Sequence, residues 1–113
     1  MLNINSRLFD TEGNWKTYEH KFVVDGQEVG NAYLMVYDED EDQAYVESID
    51  IYEEHQSKGY GTEALKHLAS DYSDGIYLAP TNEDNQRLYN RLGEEMTGDV
   101  PEVDQGFGVY VIN

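Results

Sequence analysis

The run Gln56-Ser57-Lys58-Gly59-Tyr60-Gly61 has the residue types of a phosphate cradle. Positions 59 and 61 carry no Cβ, so backbone amides there can approach an anion closely, and Lys58 supplies a cation beside them. An apolar stretch, Ala44 to Tyr52, leads into the run, and an amphipathic stretch, Thr62 to Tyr72, leads out of it. A strand, a glycine turn and a helix in that order offer an anion unpaired N–H groups and the positive end of the helix dipole. The same glycines would also serve an ordinary strand-to-helix turn. A bare G-x-G does not separate the two readings.

The residues around it carry a resemblance. Ile49 through Leu65 is similar to the central motif of the GNAT N-acetyltransferases, (Q/R)-x-x-G-x-(G/A) after a strand, with Gln56, Gly59 and Gly61 in register. Downstream, Asn82, Tyr89 and Gly93 fall at the spacing of that family's N-x(6)-Y-x(3)-G pattern. The likeness covers residues 44 to 93. It departs from the pattern at Asn85, where the family usually has a small residue, and at Glu94, which replaces a common aromatic.

The resemblance implies acetyl-CoA as co-substrate. Backbone amides of Gln56, Ser57, Lys58, Gly59, Tyr60, Gly61 and Thr62 would hold its pyrophosphate. Main-chain groups around Ile49 and Ile51 would pair with the pantetheine arm, and Asn82, first of all an N-cap, would touch it as well. Tyr89 would protonate the departing thiolate; its rival role is that of a core ring beside Leu88 and Leu92. Acetyl transfer to an amine also needs a base, because an amine is nucleophilic only when neutral. Glu47 is the first candidate: by alternation it shares a strand face with Ile49 and Ile51, where a polar group is costly without a function or a partner. Asp50 and Glu53 are the alternatives.

Other chemistries fit less well. Asp38, Asp40 and Asp42 alternate as in a calcium loop, but Gln43 stands where an EF-hand needs glycine and Ile49 where it needs glutamate. The histidines, His20, His55 and His67, show no ligand spacing, and no serine sits in a nucleophile elbow. The expectation is no metal and no covalent acyl-enzyme. The absence of cysteine removes thiol nucleophiles and disulfides.

The 113 residues suit one domain spanning 1–113, with a small core to which ten tyrosines contribute. No apolar run approaches the roughly 20 residues that span a bilayer, and the N-terminus lacks a signal pattern, so a soluble cytoplasmic protein is expected. The 24 acidic residues against seven basic ones give a net charge of −17, which repels nucleic acid and anionic membranes and favours cationic partners. Solubility, high-salt adaptation and mimicry of nucleic-acid charge are competing readings of that surface.

The elements that must position these residues begin with a short strand near Leu8 and Phe9 and a turn at Glu12-Gly13-Asn14. Strands Trp15–Val24 and Glu28–Tyr37 flank an Asp25-Gly26 hairpin turn, and the acidic tip Asp38 to Asp42 precedes the strand Ala44–Tyr52. The helix Thr62–Tyr72 aligns Ala64, Leu65, Leu68 and Ala69 on one face, with Gly75 ending it. A buried strand Ile76–Ala79, a helix capped by Asn82 and stopped by Gly93, and a last strand Phe107–Ile112 follow. This order is α/β in the α+β sense. It agrees with a GNAT-like mixed, mostly antiparallel sheet with two main helices and two splayed central strands, Ala44–Tyr52 and Ile76–Ala79.

Family members usually carry one or two helices between the first two strands, forming part of the acceptor pocket. Here only Asp10 to Asn14 intervene, so the acceptor side should be open. That suits either a large substrate, such as a lysine on a basic protein, or a pocket completed by a second subunit of a homodimer. The function expected is direct transfer of acetyl from acetyl-CoA to an amine. The rivals are an acidic binding or inhibitory protein on the same fold and an acyl-CoA sensor.

Overall fold

The structure, a computed structural model, describes residues 2–96 and 108–113. Four long strands, β1 (Leu2–Glu12), β2 (Trp15–Val24), β3 (Gln27–Tyr37) and β4 (Asp40–Ile51), form an antiparallel meander. Its turns are two residues each, and Asp25 and Gly26 both have positive φ, 51° and 79°, as the twist of a tight hairpin demands. Helix α1 (Tyr60–Ala69) then carries the chain to β5 (Ile76–Leu78), and α2 (Glu83–Leu92) leads to β6 (Glu94–Glu95) and β7 (Tyr110–Ile112). The seven strands lie in the order β1-β2-β3-β4-β5-β7-β6, with β4 and β5 parallel and every other pair antiparallel.

One sheet face carries the core. Phe22, Leu34, Ile76 and Leu78 meet Leu65 and Leu68 of α1 there, and Tyr89 of α2 joins the same cluster. The apolar stripe of α1 is therefore the reason the helix lies flat on the sheet. Asn82 caps α2, its Oδ1 accepting from the Asn85 N–H at 2.8 Å.

The differences from the sequence reading have physical causes. Strand β1 is much longer than the segment around Leu8 and Phe9, because Leu2 and Ile4 alternate with Asn3 and Asn5 and meet the core from an edge strand whose outer positions stay wet. The acidic run is only partly a tip: the turn is Asp38–Glu39, and Asp40 already pairs with Tyr37. Helix α1 stops at Ala69, where the Ser70 hydroxyl donates to the His67 carbonyl and the chain tightens into turns from Leu68 to Asp71 and from Ala69 to Tyr72. Gly75 is left-handed, φ 86°, but lies beyond the helix; a Cβ there would sit 2.6 Å from Ile112 O, so glycine is set by close packing on β7. Gly93 ends α2 in an extended conformation for a similar reason, with Val111 O 2.1 Å from where a Cβ would be. Strand β6 was not expected. Phe107 lies outside the described residues.

Two expected outcomes follow from this packing. A Cβ on Gly30, opposite Ile51 in the β3–β4 pair, would lie 2.2 Å from Asp50 O. Gly30→Ala should therefore cost about 1–3 kcal/mol, the usual penalty of overpacking, seen as a lower denaturant midpoint with unchanged slope; an unchanged midpoint would show that the strands part freely. His20 is buried, its Nδ1 2.6 Å from the Ser6 hydroxyl and its Nε2 without a partner among the described residues, and burial lowers its pKa below the ordinary 6.5. The unfolded chain thus takes the proton more readily, so this contribution to stability is present above about pH 6.5 and is lost as pH falls. Measured from pH 7 to 5, the native protein should lose stability relative to a non-titrating His20→Phe variant; parallel curves would refute it.

Candidate functional site

Strand β4 is zipped on one side and open on the other. It pairs with β5 only over Ala44–Val46, opposite Ile76–Leu78. Beyond Val46 its pairing continues with β3 alone, up to Ile51 opposite Gly30. The parting begins at an irregularity: Tyr33 faces Ser48 and Leu34 faces Val46, leaving Glu47 as the extra residue. A bulge of this kind bends and twists its strand, so the short parallel partner cannot follow. Main-chain groups of residues 47–51 that alternate away from β3 therefore open into a wedge between β4 and β5.

The glycine loop closes one end of that wedge. Ser57 and Gly59 are both left-handed, φ 65° and 82°, and Gly59 is the N-cap of α1 without a side-chain capping bond. The first helical bond runs from the Glu63 N–H to the Gly59 carbonyl, at 3.0 Å. The N–H groups of Tyr60, Gly61 and Thr62 consequently have no intrahelical acceptor. The two glycines differ in what they supply. Gly59 meets the left-handed φ, whereas a Cβ on Gly61 would make only an ordinary 3.8 Å contact with Ile51 Cγ1, so packing alone does not require glycine there. Its bareness leaves room. The Gln56 side chain reaches back to donate to the Ile51 carbonyl at 2.9 Å, tying the loop to the strand end.

Three cavities run in series along this path. One of about 200 Å³ lies at the loop, walled by Ser57, Gly59, Tyr60, Gly61 and Thr62. It shares Ile51, Gln56, Gly61 and Leu88 with a second of about 330 Å³. The second shares Ile49, Asn85 and Tyr89 with a third, of about 170 Å³, whose floor is β4 at Val46 to Ile49 and whose far wall is Leu78 and Ala79 of β5. The result is a trough from unpaired amides to a phenol. Tyr89 is 5% exposed, and burial raises its pKa, which keeps the hydroxyl protonated in the neutral range.

The structure thus brings Ile49, Ile51, Gln56, Ser57, Gly59, Tyr60, Gly61, Thr62, Tyr89 and Glu47 onto one trough. Lys58 is exposed at the loop and does not wall its cavity. Asn82 walls none of the three, and its Oδ1 is engaged in capping. Glu47 is exposed at the bulge, where the regular alternation linking it to Ile49 and Ile51 changes phase: Ala44 and Val46 pack toward the core upstream, Ile49 and Ile51 downstream. Asp50 walls the middle cavity, and Glu53 lies in a 3-10 turn outside it. Sequence reasoning missed Asn85 and Thr81. Asn85 stands four residues before Tyr89, so helical spacing alone puts both on one face. Asp40, Asp42 and Asp74, none of which walls this trough, bring carboxylate oxygens within 4.8 Å of one another; they are largely exposed, and Gln43 already donates to Asp40 at 2.7 Å.

Known proteins share this fold. The fold is similar to an acetyltransferase of the GNAT family from Bacteroides thetaiotaomicron, with 24% identity and a TM-score of 0.60 over 89% of this chain and 61% of that one. The ribosomal-protein-S18-alanine N-acetyltransferase from Escherichia coli is similar at 18% identity and a TM-score of 0.62, over 90% of this chain and 70% of the other. A GNAT acetyltransferase from Elizabethkingia anophelis with acetyl-CoA bound aligns over 97% and 94% of the two chains, with 12% identity and a TM-score of 0.61. The chain spans about three fifths of the Bacteroides protein. No curated protein matches it in sequence. The sequence model of the acetyltransferase (GNAT) family matches residues 5–93, a stretch that holds the wedge, the glycine loop and Tyr89, and the chain belongs to that family.

Proposed function

We propose that the chain is an N-acetyltransferase that moves acetyl from acetyl-CoA directly to an amine, and that the acceptor is a lysine on a basic protein. The single observation that carries the reading is the trough, which joins unpaired helix amides to the Tyr89 hydroxyl along an unpaired strand edge. Its parts match an acyl-CoA in order: amides and a bare Gly61 for a pyrophosphate, a free strand edge for an amide-bearing arm, and a phenol for a thiolate. The Elizabethkingia neighbour, which holds acetyl-CoA, supports the cofactor, and the name of the Escherichia coli neighbour supports a protein acceptor.

Bound acetyl-CoA would supply a thioester carbonyl. The chain's own residues handle protons. Glu47, at the mouth of the last cavity, takes the proton that an attacking ammonium must lose, directly or through a water, so that the neutral nitrogen can bond to the carbonyl carbon. As the carbon–sulfur bond breaks, the Tyr89 hydroxyl gives its proton to the sulfur, and the tyrosinate is reprotonated by the second proton, which the nitrogen sheds as it becomes a neutral amide. Burial, which raises the Tyr89 pKa, keeps this hydroxyl in its protonated form before the transfer.

Two experiments test the reading. Gly61→Leu should fold with a near-native thermal midpoint, because its Cβ meets only an ordinary contact, yet bind acetyl-CoA at least about tenfold more weakly by calorimetry, its side chain filling the cavity beside the amides. Unchanged affinity in the folded variant would remove the cofactor from this trough. Tyr89→Phe should lower kcat by about 100-fold while acetyl-CoA affinity stays nearly intact, the pattern of a lost general acid. Full activity in the phenylalanine variant would assign the ring to packing.

A further inference from the structure

We infer that the sheet face turned away from the helices is a docking surface for a lysine-rich stretch of polypeptide, with its head at Glu47. The inference deepens the proposed function by naming where the acceptor lies, and it rests on that reading only for the final acetyl transfer.

Away from the register shift at Phe22 and Val23, which turns Val29 inward, strands β2 and β3 send their even positions, among them Phe22, Ala32 and Leu34, into the core. Their odd positions, Trp15, Thr17, Tyr33, Met35 and Tyr37, face the other way and are half-buried. The turn between β1 and β2 is two residues, Gly13 and Asn14, so no helix arises there to cover this face, and α1 and α2 both pack on the core side. Rings tile the face. Phe9 meets Tyr33 at 5.0 Å between centroids, Trp15 meets Tyr37 at 5.0 Å and Tyr45 at 5.7 Å, and Tyr45 meets Tyr77 at 5.2 Å. The two groups of rings, Phe9 with Tyr33 and Trp15 with Tyr37, Tyr45 and Tyr77, together span five strands, β1 to β5. At about 4.8 Å per strand that is roughly 20 Å, the length of about six extended residues, which fits a peptide better than a small amine.

The chemistry of the face selects cations. A cavity of about 260 Å³ at its head is walled by Phe9, Tyr33 and Met35 together with Asp10, Glu12 and Glu47. None of these three carboxylates enters an ion pair among the described residues, whereas Arg7 and Lys21, the basic side chains on this face, are already held by Glu19 and Glu28. The face already accepts one cation over a ring: the Arg7 guanidinium lies 5.6 Å from the Phe9 centroid. Lysine side chains suit such a surface twice over, their stems covering rings and their ammonium groups reaching carboxylates. Glu47 walls both this cavity and the one that holds Tyr89, so a lysine entering the head arrives at the wedge. A net charge of −17 opposes a second copy as the occupant and draws in a basic chain.

Trp15 is the only tryptophan and is one of these rings, so its emission reports occupancy without any cofactor or turnover. A short oligolysine peptide titrated into the full chain should change that emission saturably. Asp10→Asn with Glu12→Gln should weaken the affinity about tenfold or more. Asp25→Asn with Asp71→Asn, which removes the same charge from the β2–β3 turn and the helix side, should weaken it less than about threefold. All four positions are exposed, so both double variants should fold. Equal weakening by the two pairs, no emission change, or sedimentation showing that a second copy covers Trp15 would each overturn the docking surface. The two readings fail separately. Acetylation of free amines without oligolysine binding sinks docking alone, and binding without any acetylation sinks the transferase alone.

Discussion

The parting of β4 from β5 is the constraint on which the rest of the structure depends. Three paired residues hold the two strands together, and the extra residue at Glu47 ends the ladder. A longer ladder would satisfy more backbone groups but would close the wedge. The strand edge left bare from residue 47 to 51 is costly unless water or a ligand pairs it. That cost is localised at the floor of the trough, where the proposed acyl-CoA arm would recover it. The rest of the fold secures the two lips: β4 is fixed to β3 through Gly30, and the Gln56 side chain pins the loop to Ile51.

The two faces of the sheet do different work. One is dry and holds α1, α2 and the trough. The other keeps rings that stack on one another rather than on a helix, which explains why a chain with so many tyrosines buries few of them completely. Their hydroxyls stay near water or near carboxylates. Tyr33 donates to Glu19 at 2.9 Å, and Tyr52 donates to Glu28, which pushes its pKa up to about 12. Acidic side chains thus partner phenols as well as cations, and the scarcity of lysine and arginine leaves many carboxylates of the surface unpaired.

Much of the order of elements was legible in the residues. The Asp25-Gly26 turn, the boundaries of β2, the apolar stripe of α1 and the Asn82 cap each follow from a local rule about φ, alternation or capping, and each stands in the structure. Strand β1 was only half legible because its outward positions are polar, and α1 was drawn too long because Tyr72 continues the stripe in a tighter turn. The glycine loop announced itself through residue type. What the glycines do was less evident, since Gly75 and Gly93 answer to distant carbonyls on β7 that no local pattern encodes.

The sequence by itself determined most of the strands and both helices, where the glycine loop and the first N–H groups of α1 lie, and that the surface would be strongly negative, because these depend on neighbours along the chain or on composition alone. Only the tertiary structure decided that Glu47 is the bulge where the sheet opens, that Asn85 joins Tyr89 on the trough, and that the rings of five strands share one face that no helix among the described residues covers. Those facts arise from register between strands far apart in sequence. A shift of one residue reverses every side chain's face, and no local preference sets that register.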